Sequence, residues 1–112
     1  MDLELTGKVV IITGGSDGLG KAAAKRMAME GAKVALAARD QTRLDSAIAE
    51  IKVATGSNDV IGVSTDVTDE SQVVRMVDTV VGTWGGIDIL VNNAGTSASG
   101  KFEDIAIDTW KS

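Results

Sequence analysis

The stretch Thr13-Gly14-Gly15-Ser16-Asp17-Gly18-Leu19-Gly20-Lys21-Ala22 follows an apolar run, Val9-Val10-Ile11-Ile12, and leads into a segment with helical spacing. Strand, glycine-rich turn and helix in that order make a phosphate cradle. The backbone N–H groups at the helix start point at the anion, and the helix dipole adds to their pull. Two cradles fit these residues. Gly15 to Lys21 match G-x-x-x-x-G-K, the opening of a nucleotide-triphosphatase loop. Thr13 to Gly20 match T-G-x-x-x-G-x-G, a dinucleotide loop.

The triphosphatase loop needs a Ser or Thr after its lysine to bind Mg²⁺, and an acid at the end of another strand. Here the residue after Lys21 is Ala22, and the strand ending Leu90-Val91 runs into Asn92. Lys21 then reads as a surface lysine in a first helical turn. In the dinucleotide loop, Gly14 permits the tight turn, Gly18 lets phosphates approach the backbone, and Gly20 lets the helix pack closely on the strand.

Outward from this loop the apolar pattern alternates between two periods. Strands are expected at 8–13, 33–38, 60–64 and 87–91. Helices are expected at 18–30, with apolar face Leu19, Ala22, Ala23 and Met27 and C-cap Gly31, and after N-cap Asp40, with face Leu44, Ala47, Ile48 and Ile51. A third helix is expected to open at Thr68, to carry Val73, Met76, Val77, Val80, Val81 and Trp84 inward, and to end at Gly85. A further helix is expected to begin within 105–110. Alternating strands and helices give an α/β fold of Rossmann type, a doubly wound parallel sheet covered on both faces. Right-handed crossovers set the strand order 3-2-1-4. The fourth strand would lie at an open, apolar edge without proline or lysine, a liability that leads us to expect more sheet beyond it.

Composition narrows the chemistry. The 112 residues suffice for one small domain, and 44% hydrophobic with 24% charged residues is an ordinary globular balance. The net charge of -5 argues against nucleic acid or anionic membrane as a partner. No apolar run approaches the ~20 residues of a membrane helix, and the start lacks a signal-peptide pattern, so a cytoplasmic protein is expected. Cysteine and histidine are both absent. That removes disulfides, the commonest metal ligands and the commonest general base, and no metal site is expected.

Three further segments join the loop at carboxyl ends of strands, where open α/β sheets bind ligands. They are Thr65-Asp66-Val67-Thr68, Asn92-Asn93-Ala94-Gly95 and, at the end of the second strand, Ala38-Arg39-Asp40. The glycine loop and the first two of these, together with Leu5-Thr6-Gly7-Lys8-Val9 and Ile87-Asp88-Ile89-Leu90-Val91, resemble the short-chain dehydrogenase/reductase family in order and spacing. The resemblance covers essentially the whole chain. It implies a pyrophosphate cradle formed by Gly14, Ser16, Asp17, Gly18, Leu19 and Gly20. It implies that Asp66 accepts a hydrogen bond from the adenine amino group, that the Val67 backbone contacts the ring, and that Asn93, Ala94 and Gly95 line the nicotinamide ribose. Asn92 reads as structural, tying its loop to a neighbouring strand.

The cofactor expected is NADP, with NAD as the alternative. An acid at the end of the second strand selects NAD, and an arginine there accommodates the 2′-phosphate of NADP. Ala38 falls at the acid's place and Arg39 follows it. Asp40, close by in sequence, reads first as a helix N-cap, and Asp17 opposes added negative charge.

The family's hydride transfer between nicotinamide and a carbonyl or alcohol relies on a tyrosine, a lysine four residues later, a serine and an asparagine. This chain has no tyrosine, and Ser97, Ser99 and Ser112 do not fall at the serine's position, so no catalytic residue is assigned. Residues 1–112 are therefore expected to be an NAD(P)-binding domain truncated before a catalytic half. The expectation is the cofactor-binding part of an oxidoreductase acting on a small carbonyl or alcohol, in a homo-oligomer. The alternative is a catalytically inactive dinucleotide-binding or interaction module.

Overall fold

The computed structural model describes residues 5–14 and 18–92. Four parallel strands form one sheet: β1 (Val9–Thr13), β2 (Lys33–Ala38), β3 (Val60–Ser64) and β4 (Ile89–Asn92), in the order β3-β2-β1-β4. Three helices connect them: α1 (Gly18–Met29), α2 (Gln41–Thr55) and α3 (Glu70–Trp84). The α/β class and the 3-2-1-4 order match the sequence reading.

The period-2 alternation of strand side chains sorts the core into two layers. Val10 and Ile12 of β1, Val34 and Leu36 of β2 and Val60 of β3 point to one face, where they meet Ala24 and Ala28 of α1 and Leu44, Ala47 and Ile51 of α2. Val9 and Ile11 of β1, with Ala35 and Ala37 of β2, point to the other face, against Val73, Met76, Val77 and Val80 of α3. All five residues of β1 are buried. A central parallel strand covered on both sides must be apolar throughout, and that is why VVIIT is a continuous run rather than an alternating one. The outer strands β3 and β4 are only half-buried along most of their length.

Four details differ from the sequence reading. The buried face of α1 is Gly20, Ala24 and Ala28, while Leu19 is 81% exposed and Ala22 lies at the surface. Small residues at i, i+4 and i+8 bring the helix backbone close to the sheet, and the larger apolar residues sit beside that stripe. In α3 the N-cap is Asp69, not Thr68; its carboxylate accepts from the N–H groups of Ser71 and Gln72. β1 begins at Val9, because Lys8 turns back through an N–H bond to the Leu5 carbonyl. β4 begins at Ile89, one residue after Asp88, which already meets β1: its N–H donates to the Val9 carbonyl and its carboxylate accepts the Val9 N–H, both at 2.9 Å.

The other helix caps agree with the sequence. Asp40 caps α2 by accepting from the Arg43 N–H at 3.1 Å. Gly56 and Gly85 end α2 and α3, Gly85 at φ 89, a left-handed conformation that a residue with a Cβ adopts at a cost. No helix among the described residues is long and apolar enough to cross a membrane. The expected helix within 105–110 lies outside the described residues.

Candidate dinucleotide site

The chain leaves each strand of the sheet at the same edge, and the polar groups gather there. At the end of β1, Gly14 turns at φ 67, the left-handed region where glycine is unstrained. Its N–H donates to the Ala37 carbonyl of β2 at 2.7 Å, which pins the turn across the sheet. Ser16 and Asp17 lie outside the described residues. α1 then starts at Gly18, and its first turn carries no acid. The first N–H groups of a helix have no carbonyl partner within it, so this end attracts an anion. Gly20 is buried against the sheet and Leu19 projects outward.

Lys21 does not serve this turn. Its Nζ pairs with Glu50 of α2 at 3.1 Å, tying the two helices together. A triphosphatase lysine must reach the terminal phosphates, and this one is turned to a neighbouring helix. Among the described residues no cluster of acids could hold a metal ion. The G-K match is thus a coincidence of sequence.

Beyond Gly14, a cavity of about 260 Å³ opens between the ends of β2 and β3. Gly14, Ala37, Ala38, Thr65 and Val67 give it a mostly apolar lining. Arg39, Asp40 and Arg43 supply its charges. Thr65 is buried but satisfied: its N–H donates to the Ala38 carbonyl and its hydroxyl to Val63. The mostly apolar lining of the cavity suits a flat heteroaromatic group, with ions at its margin for polar substituents.

A second, polar hollow of about 230 Å³ adjoins it, lined by Arg39, Ser64, Asp66 and Gln72. Asp66 is fixed at both ends. Its N–H donates to Gln72 Oε1 at 2.9 Å, and its Oδ1 accepts from the Thr68 N–H and hydroxyl at 2.9 and 2.6 Å. The Thr68 hydroxyl and N–H hold the Asp66 carboxyl below its ordinary value of 3.8, and the Arg39 charge acts the same way. Asp66 is therefore an ionised acceptor at neutral pH. Its Oδ2 has no partner among the described residues, so the turn-forming role and an acceptor role are compatible.

At the end of β4, Asn92 Oδ1 accepts the Thr13 hydroxyl at 3.0 Å, and the two residues are in register. This is the tie between neighbouring strands expected of Asn92. Asn92 Nδ2 is buried and has no partner among the described residues. Asn93, Ala94 and Gly95 lie outside the described residues.

The sequence reading missed Gln72 and Arg43. Gln72 had a signal: it stands three residues after the N-cap Asp69, the spacing of a capping box, and its Nε2 donates to Asp69 Oδ2 at 3.2 Å. Placing the cap at Thr68 hid it. Arg43 looked like one more surface charge on a helix and carried no signal.

A sequence model of the short chain dehydrogenase family matches residues 8–112. The chain belongs to the short-chain dehydrogenase family. Among its relatives, an uncharacterized oxidoreductase of Staphylococcus aureus (strain USA300) is 37% identical over 96% of this chain and 45% of its own. L-Sorbose reductase from Gluconobacter frateurii, solved with NADPH and L-sorbose, is 45% identical with a TM-score of 0.80, over 86% of this chain and 36% of its own. A xylitol dehydrogenase solved with NAD⁺ is 28% identical with a TM-score of 0.83, over 96% of this chain and 48% of its own. This short-chain dehydrogenase chain thus spans about half the length of the relatives it matches. Its glycine turn, apolar cavity and ionised Asp66 fit a nicotinamide dinucleotide: an anion-receptive helix start, a slot for a base, and a lone acceptor beside it.

Proposed function

We propose that this chain is the dinucleotide-binding part of an oxidoreductase that moves hydride between NADP(H) and a carbonyl or alcohol. The observation that carries the cofactor preference is the cavity at the end of β2. It meets Ala38 and Arg39 where an NAD-selecting acid would stand, so the rim offers a cation to a 2′-phosphate.

A bound nicotinamide ring supplies the hydride donor and acceptor. The chain's residues do the holding. N–H groups at the start of α1, with Gly14 and the loop at Ser16 and Asp17, receive the pyrophosphate. Asp66 Oδ2 accepts from the adenine amino group, beside the Val67 backbone. Asn93, Ala94 and Gly95 meet the nicotinamide ribose. With no tyrosine in the chain, the proton-transfer groups belong in this reading to a further, catalytic half, whose sheet covers the half-buried edge of β4. The L-sorbose reductase and xylitol dehydrogenase relatives support a small carbonyl or alcohol as substrate. The reading also includes a cytoplasmic location and a homo-oligomeric assembly.

The test is thermal stabilisation of the full-length protein by NADP and by NAD. A ligand at a hundredfold excess over its Kd adds about 2.7 kcal/mol. NADP should bind more tightly than NAD, and Arg39→Ala should remove about tenfold of that preference, the lower end for a charge-assisted contact because Arg39 is exposed. Absence of stabilisation by either dinucleotide overturns the proposal. Tight NADP binding without turnover of any ketone or alcohol favours the inactive binding module instead.

A further inference from the structure

We infer that Gln72 is the positioning residue for base recognition: from the first turn of α3 it holds Asp66 so that the unpartnered carboxylate oxygen selects a base with an exocyclic amino group. The inference rests on the dinucleotide reading above and adds the residue through which Asp66 is held.

Most bonds of the Asp66 turn are local. Its carbonyl accepts the Asp69 N–H at 3.0 Å, and its Oδ1 accepts the Thr68 N–H and hydroxyl. These bonds move with the turn. The bond from the Asp66 N–H to Gln72 Oε1, at 2.9 Å, spans six residues and ties the start of the turn to the body of α3. The next helix residue, Val73, is buried against the sheet, so Gln72 stands on a rigid element.

Gln72 also departs from an ordinary cap. In a capping box the glutamine accepts the N–H of the N-cap residue. Here the Asp69 N–H goes to the Asp66 carbonyl, and the Gln72 amide passes beyond it to the Asp66 N–H. Its Nε2 donates to Asp69 Oδ2 at 3.2 Å. An N–H on one side and a carboxylate on the other fix which end of the amide is which. The side chain is thus set before any ligand arrives.

Gln72 and Asp66 line the same polar hollow of about 230 Å³. Asp66 Oδ2 has no partner among the described residues. An ionised carboxylate oxygen only accepts. It attracts the amino group of an aminopurine and repels the carbonyl oxygen of an oxopurine. That choice depends on where the oxygen sits, because hydrogen bonds weaken steeply with misalignment. Without Gln72 the turn loses its tie to α3, and the oxygen shifts with the turn.

The test uses NADP and its hypoxanthine analogue, in which an oxygen replaces the adenine amino group. Their Kd values are measured by calorimetry on the full-length protein and on Gln72→Leu, Gln72→Asn and Gln72→Glu. The unaltered protein should favour adenine by about tenfold, the lower end for a charge-assisted hydrogen bond. Gln72→Leu removes the acceptor, and Gln72→Asn is one carbon shorter. Each should cut the preference to about threefold or less, with the hypoxanthine analogue within about twofold of its original Kd. Gln72→Glu keeps the acceptor and the reach but loses the amide donor, and its added charge acts on both ligands alike. It should restore most of the preference. Equal weakening of both ligands in the Leu and Asn variants would make Gln72 a purely structural residue and overturn the inference, as would an unchanged preference. Failure of Gln72→Glu to restore it would also overturn the positioning role. Binding of neither ligand by the unaltered protein, or equal binding of both, overturns instead the reading of Asp66 as the adenine acceptor.

Discussion

Thr13→Val tests how the two strands that carry the site are held in register. Thr13 is fully buried at the end of β1, and its hydroxyl donates to Asn92 Oδ1 at 3.0 Å. Valine keeps the shape and removes the donor. Asn92 Oδ1 then loses its partner beside an Nδ2 that already has none among the described residues. An unsatisfied buried polar atom costs about 1–3 kcal/mol, and because Asn92 is only partly buried we expect about 1–2 kcal/mol. Urea unfolding with a slope of about 2 kcal/mol/M should show a midpoint lower by roughly 0.5–1 M. Adding Asn92→Leu removes the stranded carbonyl and the unpaired amide together, at similar shape. Replacing both partners by apolar groups is nearly neutral, so the double variant should unfold at higher urea than Thr13→Val alone. If the double variant is as unstable as the two single losses added together, the hydrogen bond is not what links these strands.

Two further outcomes concern the packing of β3 and the acids of the turn beyond it. Gly62 lies in β3 with ordinary strand geometry, and an added Cβ would meet Ile48 Cγ1 and Leu44 Cβ at 3.4 Å. Gly62→Ala should therefore stabilise by about 0.4–1 kcal/mol, through a less free unfolded chain and new packing on α2, as a higher urea midpoint; a lower midpoint would show that α2 cannot give way at this contact. Asp66 and Asp69 both titrate below the ordinary 3.8, Asp66 held down by Thr68 and Asp69 by the Ser71 hydroxyl and the Gln72 N–H. A depressed carboxyl contributes stability that is complete above its unfolded value and is lost as pH falls through its folded one. Stability should drop below about pH 3.8, and less steeply in a variant with both acids changed to Asn; identical acid profiles would count against these bonds.

The sheet was legible because parallel strands impose apolar runs that few other structures require. VVIIT and KVALAA suit strands covered on both faces, and the glycine turn after the first of them sets the start of α1. The interior of α1 was not legible. Hydrophobicity singles out Leu19 and Met27, yet the close approach of helix to sheet selects Gly20, Ala24 and Ala28, and closeness is a property of the pair of elements rather than of either sequence. At the site, Gly14, Arg39 and Asp66 could be picked out because they fall at positions of a set of segments that together resemble the short-chain dehydrogenase/reductase family; taken singly, Asp66 reads as an ordinary loop acid.

Asp40 and Arg43 show why the rest of the site is harder to read. A capping acid followed by an arginine is frequent on any helix surface, and the pair acquires significance only because β2 and β3 place α2's first turn at the mouth of a cavity. One residue, Asp40, then both caps a helix and lines a cavity. Asp66 does the same with a turn: its Oδ1 builds the loop, and its Oδ2 has no partner among the described residues. In both cases the local bonds come from neighbouring sequence and the place at the cavity from the sheet topology. The two are compatible, because the local bonds fix the side chains that line the cavity.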